Sequence, residues 1–261
     1  MLTARNVTVS LGRNRILEGL DFDAHRGEIT VIIGPNGSGK TTLLRAMTGE
    51  LSSQGEVALN GRNVADLKPW ELAAMRAVLP QNTDLAFPFT VNEVVGMGLN
   101  AGAFADRPDV VLAALSAVGL LPFRDRHVPD LSGGERQRVH LARVLAQVWE
   151  PVGPFGPRWL LLDEPTSALD IAHQLQVMQA SQRYAKAGGG VIAVMHDLNL
   201  SAMYADRLVL MKQGRVLAAG PTAEVMTERN LSSAYGCQIS VERSPSDGKC
   251  FVLPQLCALD E

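Results

Sequence analysis

The run Gly34-Pro35-Asn36-Gly37-Ser38-Gly39-Lys40-Thr41 satisfies G-x-x-x-x-G-K-[ST], directly after the apolar stretch Glu28 to Ile33. A helical pattern starts near Thr42-Leu43-Leu44, which is the context the motif requires. Glycines let backbone N–H groups curl around a β-phosphate without a Cβ clash, and a helix N-terminus adds partial positive charge. Lys40 supplies a full charge against the β- and γ-oxygens, and the Thr41 hydroxyl suits Mg²⁺. A second group of residues is Trp159-Leu160-Leu161-Leu162-Asp163-Glu164, a buried-type strand that delivers two adjacent carboxylates at its C-terminal end. Side chains alternate along a strand, so Asp163 and Glu164 can face different targets. Asp163 is assigned to the metal and Glu164 to a water lined up with the γ-phosphorus.

Val191 to Met195 is another apolar strand, and it ends in His196, which could contact a γ-phosphate on the same rim. Nothing in the sequence argues a role for His25, His127, His140 or His173. Leu131-Ser132-Gly133-Gly134-Glu135 opens a helix, and Ser132 with Glu135 reads first as a capping box. Gly133 and Gly134 also expose backbone N–H groups to an incoming anion, a second phosphate site in one chain. One nucleotide cannot easily use both sites of one subunit, so two copies sandwiching ATP are expected.

These residues need elements to position them. Strand-like alternation runs through residues 2 to 33, and short strand candidates recur at Gly55 to Leu59, Ala77 to Leu79, Trp159 to Leu162, Val191 to Met195 and Leu208 to Met211. Between Leu85 and Glu150 helical stretches take over: Val91 to Leu99, Asp109 to Gly119 and Glu135 to Val148. The Pro/Gly-rich piece Pro151 to Pro157 reads as a loop, and Gln213-Gly214 as a hairpin turn. The fold class is α/β. Its expected division is a nucleotide-binding core at 1–84 and 151–261, with an all-helical subdomain inserted at 85–150.

Composition excludes several classes. With 24 Lys plus Arg against 27 Asp plus Glu the net charge is −3, so there is no basic surplus for nucleic acid. At 46% hydrophobic and 20% charged residues the chain should fold. No apolar run reaches the roughly 18 to 20 residues of a membrane span, and no secretory h-region follows the N-terminus, so a cytosolic location is expected. Cys237, Cys250 and Cys257 form no C-x-x-C pair and suggest neither disulfides nor zinc.

Over roughly residues 2 to 230 the set resembles the ATP-binding cassette ATPases of membrane transporters. The resemblance implies a P-loop NTPase core with an N-terminal antiparallel β-subdomain and an inserted helical subdomain carrying the signature motif. Gly34, Pro35, Asn36, Gly37, Ser38, Gly39, Lys40, Thr41 and Thr42 match the Walker A motif, and Leu131 to Glu135 the signature. Trp159 to Asp163 match Walker B, with Glu164 as the catalytic glutamate. Ser167-Ala168-Leu169-Asp170 matches the D-loop, Gln81 the Q-loop and His196 the switch histidine. By resemblance, Glu164, His196 and Gln81 form the catalytic set. ATP is held by Gly34 to Thr42 with Ser132, Gly133 and Gly134, and Mg²⁺ by Thr41, Gln81 and Asp163. The implied partners are a second copy, a transmembrane permease dimer met through the region after Gln81, and indirectly a substrate-binding protein, all at the cytoplasmic face of the inner membrane. The family's usual adenine-stacking aromatic is missing from Ser10 to Arg15; Leu11 takes its place, with Arg13 or Arg15 as further candidates.

Ala86 to Val91, Asp197 to Leu200 and Val144 to Trp149 look like the branch that imports iron chelates, cobalamin and heme. Pro151 to Pro157 is most similar to heme-importer ATPases, with ferric siderophore or cobalamin as the alternative cargo. A soluble cassette protein of DNA repair or translation is the rival reading, opposed by the single phosphate loop and the absence of a heptad run. A P-loop kinase or GTPase is opposed by Leu131 to Glu135.

Overall fold

Alternating apolar residues build the first strands, and one irregularity sets their register. Strand β1 (Leu2–Leu11) buries Leu2 and Ala4, then Val7 and Val9, so the buried parity changes once along it. It pairs antiparallel with β2 (Asn14–Ala24). After β3 (Ile29–Ile33) and helix α1 (Lys40–Thr48), β4 (Gln54–Leu59) joins the other side of β1, followed by β5 (Arg62–Asn63), giving the order β2-β1-β4-β5. The register of β1 against β4 slips between Arg5 and Thr8, where Asn6 has φ 50°. One extra residue in this bulge returns the apolar set to the covered face. Gly55 makes room for it: a Cβ there would lie 2.4 Å from the Asn6 carbonyl oxygen.

The computed structural model describes residues 1–81, 87–167 and 169–258. The chain divides into two compact units, Met1–Ala65 with Ile192–Glu261, and Asp66–Val191. The second unit begins with α2 (Pro69–Met75) and β6 (Arg76–Leu79), then three helices, α3 (Val91–Ala101), α4 (Asp109–Ala117) and α5 (Gly133–Gln147). Between residues 87 and 150 the only strand pairing among the described residues is an isolated bridge, Thr90 to His127. Helices α3 and α5 meet through glycine: a Cβ on Gly98 would sit 2.0 Å from the Arg143 carbonyl oxygen.

The segment Pro151 to Pro157 departs from the expected loop. It forms a small hairpin, β7 (Val152–Gly153) against β8 (Gly156–Pro157). The buried Arg158 organises it, donating to the carbonyls of Glu150 at 2.7 Å, Val152 at 3.3 Å and Ala74 at 3.0 Å. Its guanidinium also lies 4.7 Å from the Phe104 ring centre. A guanidinium with five donors thus gathers backbone carbonyls that a Pro-rich segment cannot satisfy from within.

Strand β9 (Trp159–Asp163), buried throughout, runs parallel to β6 with Leu79 opposite Leu162. It is followed by α6 (Ile171–Lys186) and by β10 (Gly190–Val194), whose residues fall on both sides of the division. The first unit resumes with α7 (Leu198–Tyr204), β11 (Arg207–Lys212) and β12 (Arg215–Pro221). β11 runs parallel to β3, with Leu210 opposite Ile33, and antiparallel to β12. The expected turn has φ 49° at Gln213 and 75° at Gly214, two left-handed residues as a primed hairpin turn requires. Helices α8 (Thr222–Val225) and α9 (Glu228–Tyr235) and the hairpin β13 (Val241–Arg243) with β14 (Cys250–Val252) follow. No helix among the described residues is long and apolar enough to cross a membrane.

Candidate nucleotide site

The glycine loop leaves the buried end of β3 and enters α1 as the sequence requires, with the helix starting at Lys40 rather than near Thr42. Gly39 is the N-cap, in the left-handed conformation at φ 97°, and it brings no side-chain cap. No acidic residue sits in the first turn of α1 either. In α3, α5, α6 and α7, by contrast, a Thr, Ser or Asp caps the N-terminus through its side chain. The positive end of the α1 dipole is therefore not offset by a cap or an acid of the helix's own first turn, which favours an anion there. Lys40 is 6% exposed, and its Nζ donates to the Gly34 carbonyl at 2.8 Å and the Pro35 carbonyl at 3.0 Å. The ammonium is thus folded back onto the loop it would share with a phosphate. Asn36 and Gly37 are exposed at the tip, Thr41 and Thr42 half-buried in the first turn.

Neighbouring elements of the same unit clamp this loop. Gly34 stands at φ 147°, where a Cβ would lie 2.2 Å from the Met211 carbonyl oxygen on β11. Gly214, in the β11–β12 turn, donates its N–H to the Ser38 carbonyl at 3.0 Å. Tyr235 on α9 reaches the backbone of Gly34: burial pushes its phenol up to about 12, opposed by a hydrogen bond from the Gly34 backbone. Nothing in the sequence marks Tyr235, because the contact joins residues some two hundred positions apart. His196 follows Met195, whose N–H donates to the Ile32 carbonyl at 3.1 Å, so the residue lies beside the end of β3 and is exposed. Leu11 is 48% exposed at the end of β1, and Arg13 and Arg15 are exposed around the turn.

In the second unit, Asp163 is the last residue of β9 and is 2% exposed. Glu164 has φ 51°, a left-handed conformation that costs a side-chain-bearing residue about 1–2 kcal/mol. Three donors hold it there through its carbonyl: Ser167 N–H at 3.3 Å, Ser167 Oγ at 3.2 Å and Gln137 Nε2 at 3.5 Å. Backbone strain of this kind gathers at functional positions. Gln81 lies two residues beyond Leu79, as Glu164 lies two beyond Leu162, so the parallel pairing brings both to one sheet edge. Residues Asn82 to Ala86 lie outside the described residues, as does Ala168 of the D-loop match. Ser132 and Glu135 form the expected capping box: Ser132 N–H donates to Glu135 Oε2 at 2.7 Å, and Glu135 N–H to Ser132 Oγ at 3.3 Å. Hydrogen bonds from the Ser132 backbone N–H, and then from its side chain, hold the Glu135 carboxyl below its usual range. Gly133 is exposed, and a Cβ there would meet nothing within 4 Å.

Of the other histidines, His127 Nδ1 lies 2.7 Å from the Pro88 carbonyl, His173 pairs with Asp170 at 2.8 Å and His140 is buried in α5. Among the described residues no cluster of three His, Cys, Asp or Glu could hold a metal. Hydroxyl, amide and carboxylate oxygens such as those of Thr41, Gln81 and Asp163 are each of a type that Mg²⁺ accepts, and the ion typically takes one or two protein ligands and completes its shell with phosphate and water.

A glycine loop leading into an uncapped helix and, in the other unit, a buried strand ending in adjacent carboxylates are each elements of the P-loop class of ATP-hydrolysing enzymes. The model of the ABC transporter family matches residues 17–167, and the chain belongs to that family. It is 58% identical to the hemin import ATP-binding protein HmuV of Roseobacter denitrificans, over 97% of both chains. It is 57% identical to the protein of that description from Jannaschia sp., over 98% of this chain and 95% of the relative. From Bartonella quintana the identity is 50%, over 98% of each. Among solved structures, a bacterial ABC transporter cassette solved as a dimer is 28% identical with a TM-score of 0.73, covering 85% of this chain and 99% of that one. A transporter described as of metal-chelate type, inward-facing, is 25% identical with a TM-score of 0.77, covering 96% and 95%.

Proposed function

We propose that this chain is the ATP-hydrolysing subunit of a hemin importer, acting as a pair of copies bound to a separate permease dimer at the cytoplasmic face of the membrane. The observation that carries the cargo is the near-full-length identity to hemin import ATP-binding proteins of several bacteria. In this reading Gly34 to Thr42 bind the phosphates of ATP through the N–H groups of α1 and the Lys40 ammonium. Mg²⁺, when bound, would neutralise phosphate charge, and Thr41, Asp163 and Gln81 would be its protein oxygens. Glu164 orients and deprotonates the attacking water, Gln81 assists, and His196 bonds the γ-phosphate. Ser132, Gly133 and Gly134 of each copy meet the nucleotide of the other, so hydrolysis releases the pair. An external substrate-binding protein delivers the cargo to the permease.

The permease contact is assigned to the region after Gln81. Phe87 there is 67% exposed and touches Phe89 edge-on at 6.1 Å between ring centres, which supports an outward-facing aromatic in place of one packed into the helices. The first part of this region, Asn82 to Ala86, lies outside the described residues. The test is growth of a deletion strain on hemin as sole iron source, beside a ferric siderophore and a cobalamin-dependent condition. A growth defect on hemin alone is expected. Normal growth on hemin with a defect on either other nutrient overturns the cargo and leaves the ATPase intact.

A further inference from the structure

Helix α7 begins two residues after His196 and has seven residues, too few to hold its own direction in water. Its orientation is therefore set by what grips it. At the start, Asp197 Oδ1 accepts from Leu200 N–H at 2.9 Å, and Ser201 Oγ donates to the Asp197 carbonyl at 2.6 Å. Along the side, Asn199 makes a two-way pair with one residue of β14. Its Nδ2 donates to the Val252 carbonyl at 3.0 Å, and its Oδ1 accepts from Val252 N–H at 2.7 Å. At the end, Lys249 Nζ donates to the Met203 carbonyl at 2.8 Å, one of the last-turn carbonyls a helix leaves without an internal partner. Cys250 and Val252 are buried, which anchors β14.

A primary amide carries both a donor and an acceptor, so Asn199 reproduces both halves of a strand pairing in a way that neither a carboxylate nor an alkyl group can. The pairing joins the C-terminal hairpin to the helix that immediately follows the switch position. On the other side, Met195 N–H is fixed to the Ile32 carbonyl. The backbone of His196 is thus stretched between two anchors, β3 and α7.

We propose that Asn199 is a positioning residue for ATP hydrolysis: paired with Val252, it fixes α7 and, through Asp197, the backbone that presents His196. The inference rests on the role given to His196 above. It also gives the C-terminal hairpin a function in turnover.

The test uses the full chain assembled with its permease and compares Asn199→Ala, Asn199→Asp, Lys249→Ala and His196→Ala. Asn199→Ala is expected to lower kcat about fivefold or more, the lower end of the scale for two lost positioning hydrogen bonds, with the KM and Kd for ATP within about twofold of wild type. Asn199→Asp keeps only the acceptance from Val252 N–H and should fall between. Lys249→Ala reads the same clamp from its other end and should lower kcat about twofold, so the inference remains testable if Asn199→Ala fails to fold. In single-turnover assays, adding Asn199→Ala to His196→Ala should change the residual rate by less than about twofold, because the two act through one group. Wild-type kcat in Asn199→Ala beside a strongly impaired His196→Ala overturns the inference alone. So does an equal loss in the His196→Ala background, or a parallel fall of kcat and ATP affinity. Wild-type turnover in His196→Ala overturns the reading beneath it, and the inference with it.

Discussion

Gly34→Ala measures how far the phosphate loop depends on one close backbone approach. At φ 147° the added Cβ would stand 2.2 Å from the Met211 carbonyl oxygen and 3.0 Å from Ser38 Oγ. Contacts below 3.0 Å are essentially never adopted, so the atoms must part by at least 0.8 Å. Strand β11 is paired on both sides, with β3 and β12, so the loop is the element that moves. Strain outside the usual region costs about 1–3 kcal/mol and overpacking about 1–3 kcal/mol, or about 2–6 kcal/mol together. Gly37→Ala is the internal standard: at φ 75° its Cβ would meet nothing within 4 Å, which leaves only the left-handed penalty of about 1–2 kcal/mol. With a factor of ten for each 1.36 kcal/mol, Gly34→Ala should weaken ATP binding by about thirtyfold at the least and by about ten-thousandfold or more at the upper end, and Gly37→Ala by about five- to thirtyfold. Titration calorimetry with ATP gives both affinities, and urea midpoints separate loop distortion from global unfolding. If Gly34→Ala binds ATP as tightly as Gly37→Ala, the close approach to β11 does not set the shape of the site.

Lys40→Ala should raise the Kd for ATP about 30- to 1,000-fold, less than a bare charge–phosphate contact suggests, because the ammonium exchanges loop carbonyls for phosphate oxygens; fluorescent-nucleotide titration checks it. Glu164→Gln should keep ATP binding and lower turnover about a hundredfold or more, with an ATP-dependent dimer visible by size-exclusion chromatography. Ser132→Arg should leave ATP binding by the monomer unchanged and stop hydrolysis; lost monomer binding would refute the two-copy sandwich. Arg158→Met should lower stability in urea by about 3 kcal/mol, because it strips the buried donor from three carbonyls, while ATP affinity stays within about twofold.

What could be read in advance was local. The glycine loop, the strand ends at Asp163 and His196, the Ser132 capping box and the Gln213-Gly214 turn all lie within spans of a few residues, where spacing alone constrains the backbone. What escaped depends on contacts between distant positions. The Pro151 to Pro157 hairpin is organised by a buried Arg158 that also reaches the Ala74 carbonyl, so its composition reads as a loop and its environment makes it a ladder. The bulge at Asn6 is permitted by Gly55, and Gly34 is touched by Tyr235. The pairing of Asn199 with Val252 spans more than fifty residues.

Two helix starts distinguish the sites on physical grounds. Helix α1 has no side-chain cap and no first-turn acid, so its N-terminal field favours an anion approaching along the helix axis. Helix α5 has its own capping box, and that box uses the N–H groups of Ser132 and Glu135, not those of Gly133 and Gly134. The Glu135 carboxylate sits at this same helix end, where it offsets part of the favourable field for an incoming phosphate. Helix α5 should therefore grip a nucleotide weakly by itself and contribute mainly when another surface already holds the phosphate. That asymmetry suits the proposed arrangement, in which the glycine loop binds ATP in the monomer and the Ser132 to Gly134 segment engages only on closure with a second copy. Ser132→Arg is sharp for this reason: it places a long cation on an exposed cap that, under the proposed arrangement, the monomer does not need for binding and the closed pair does.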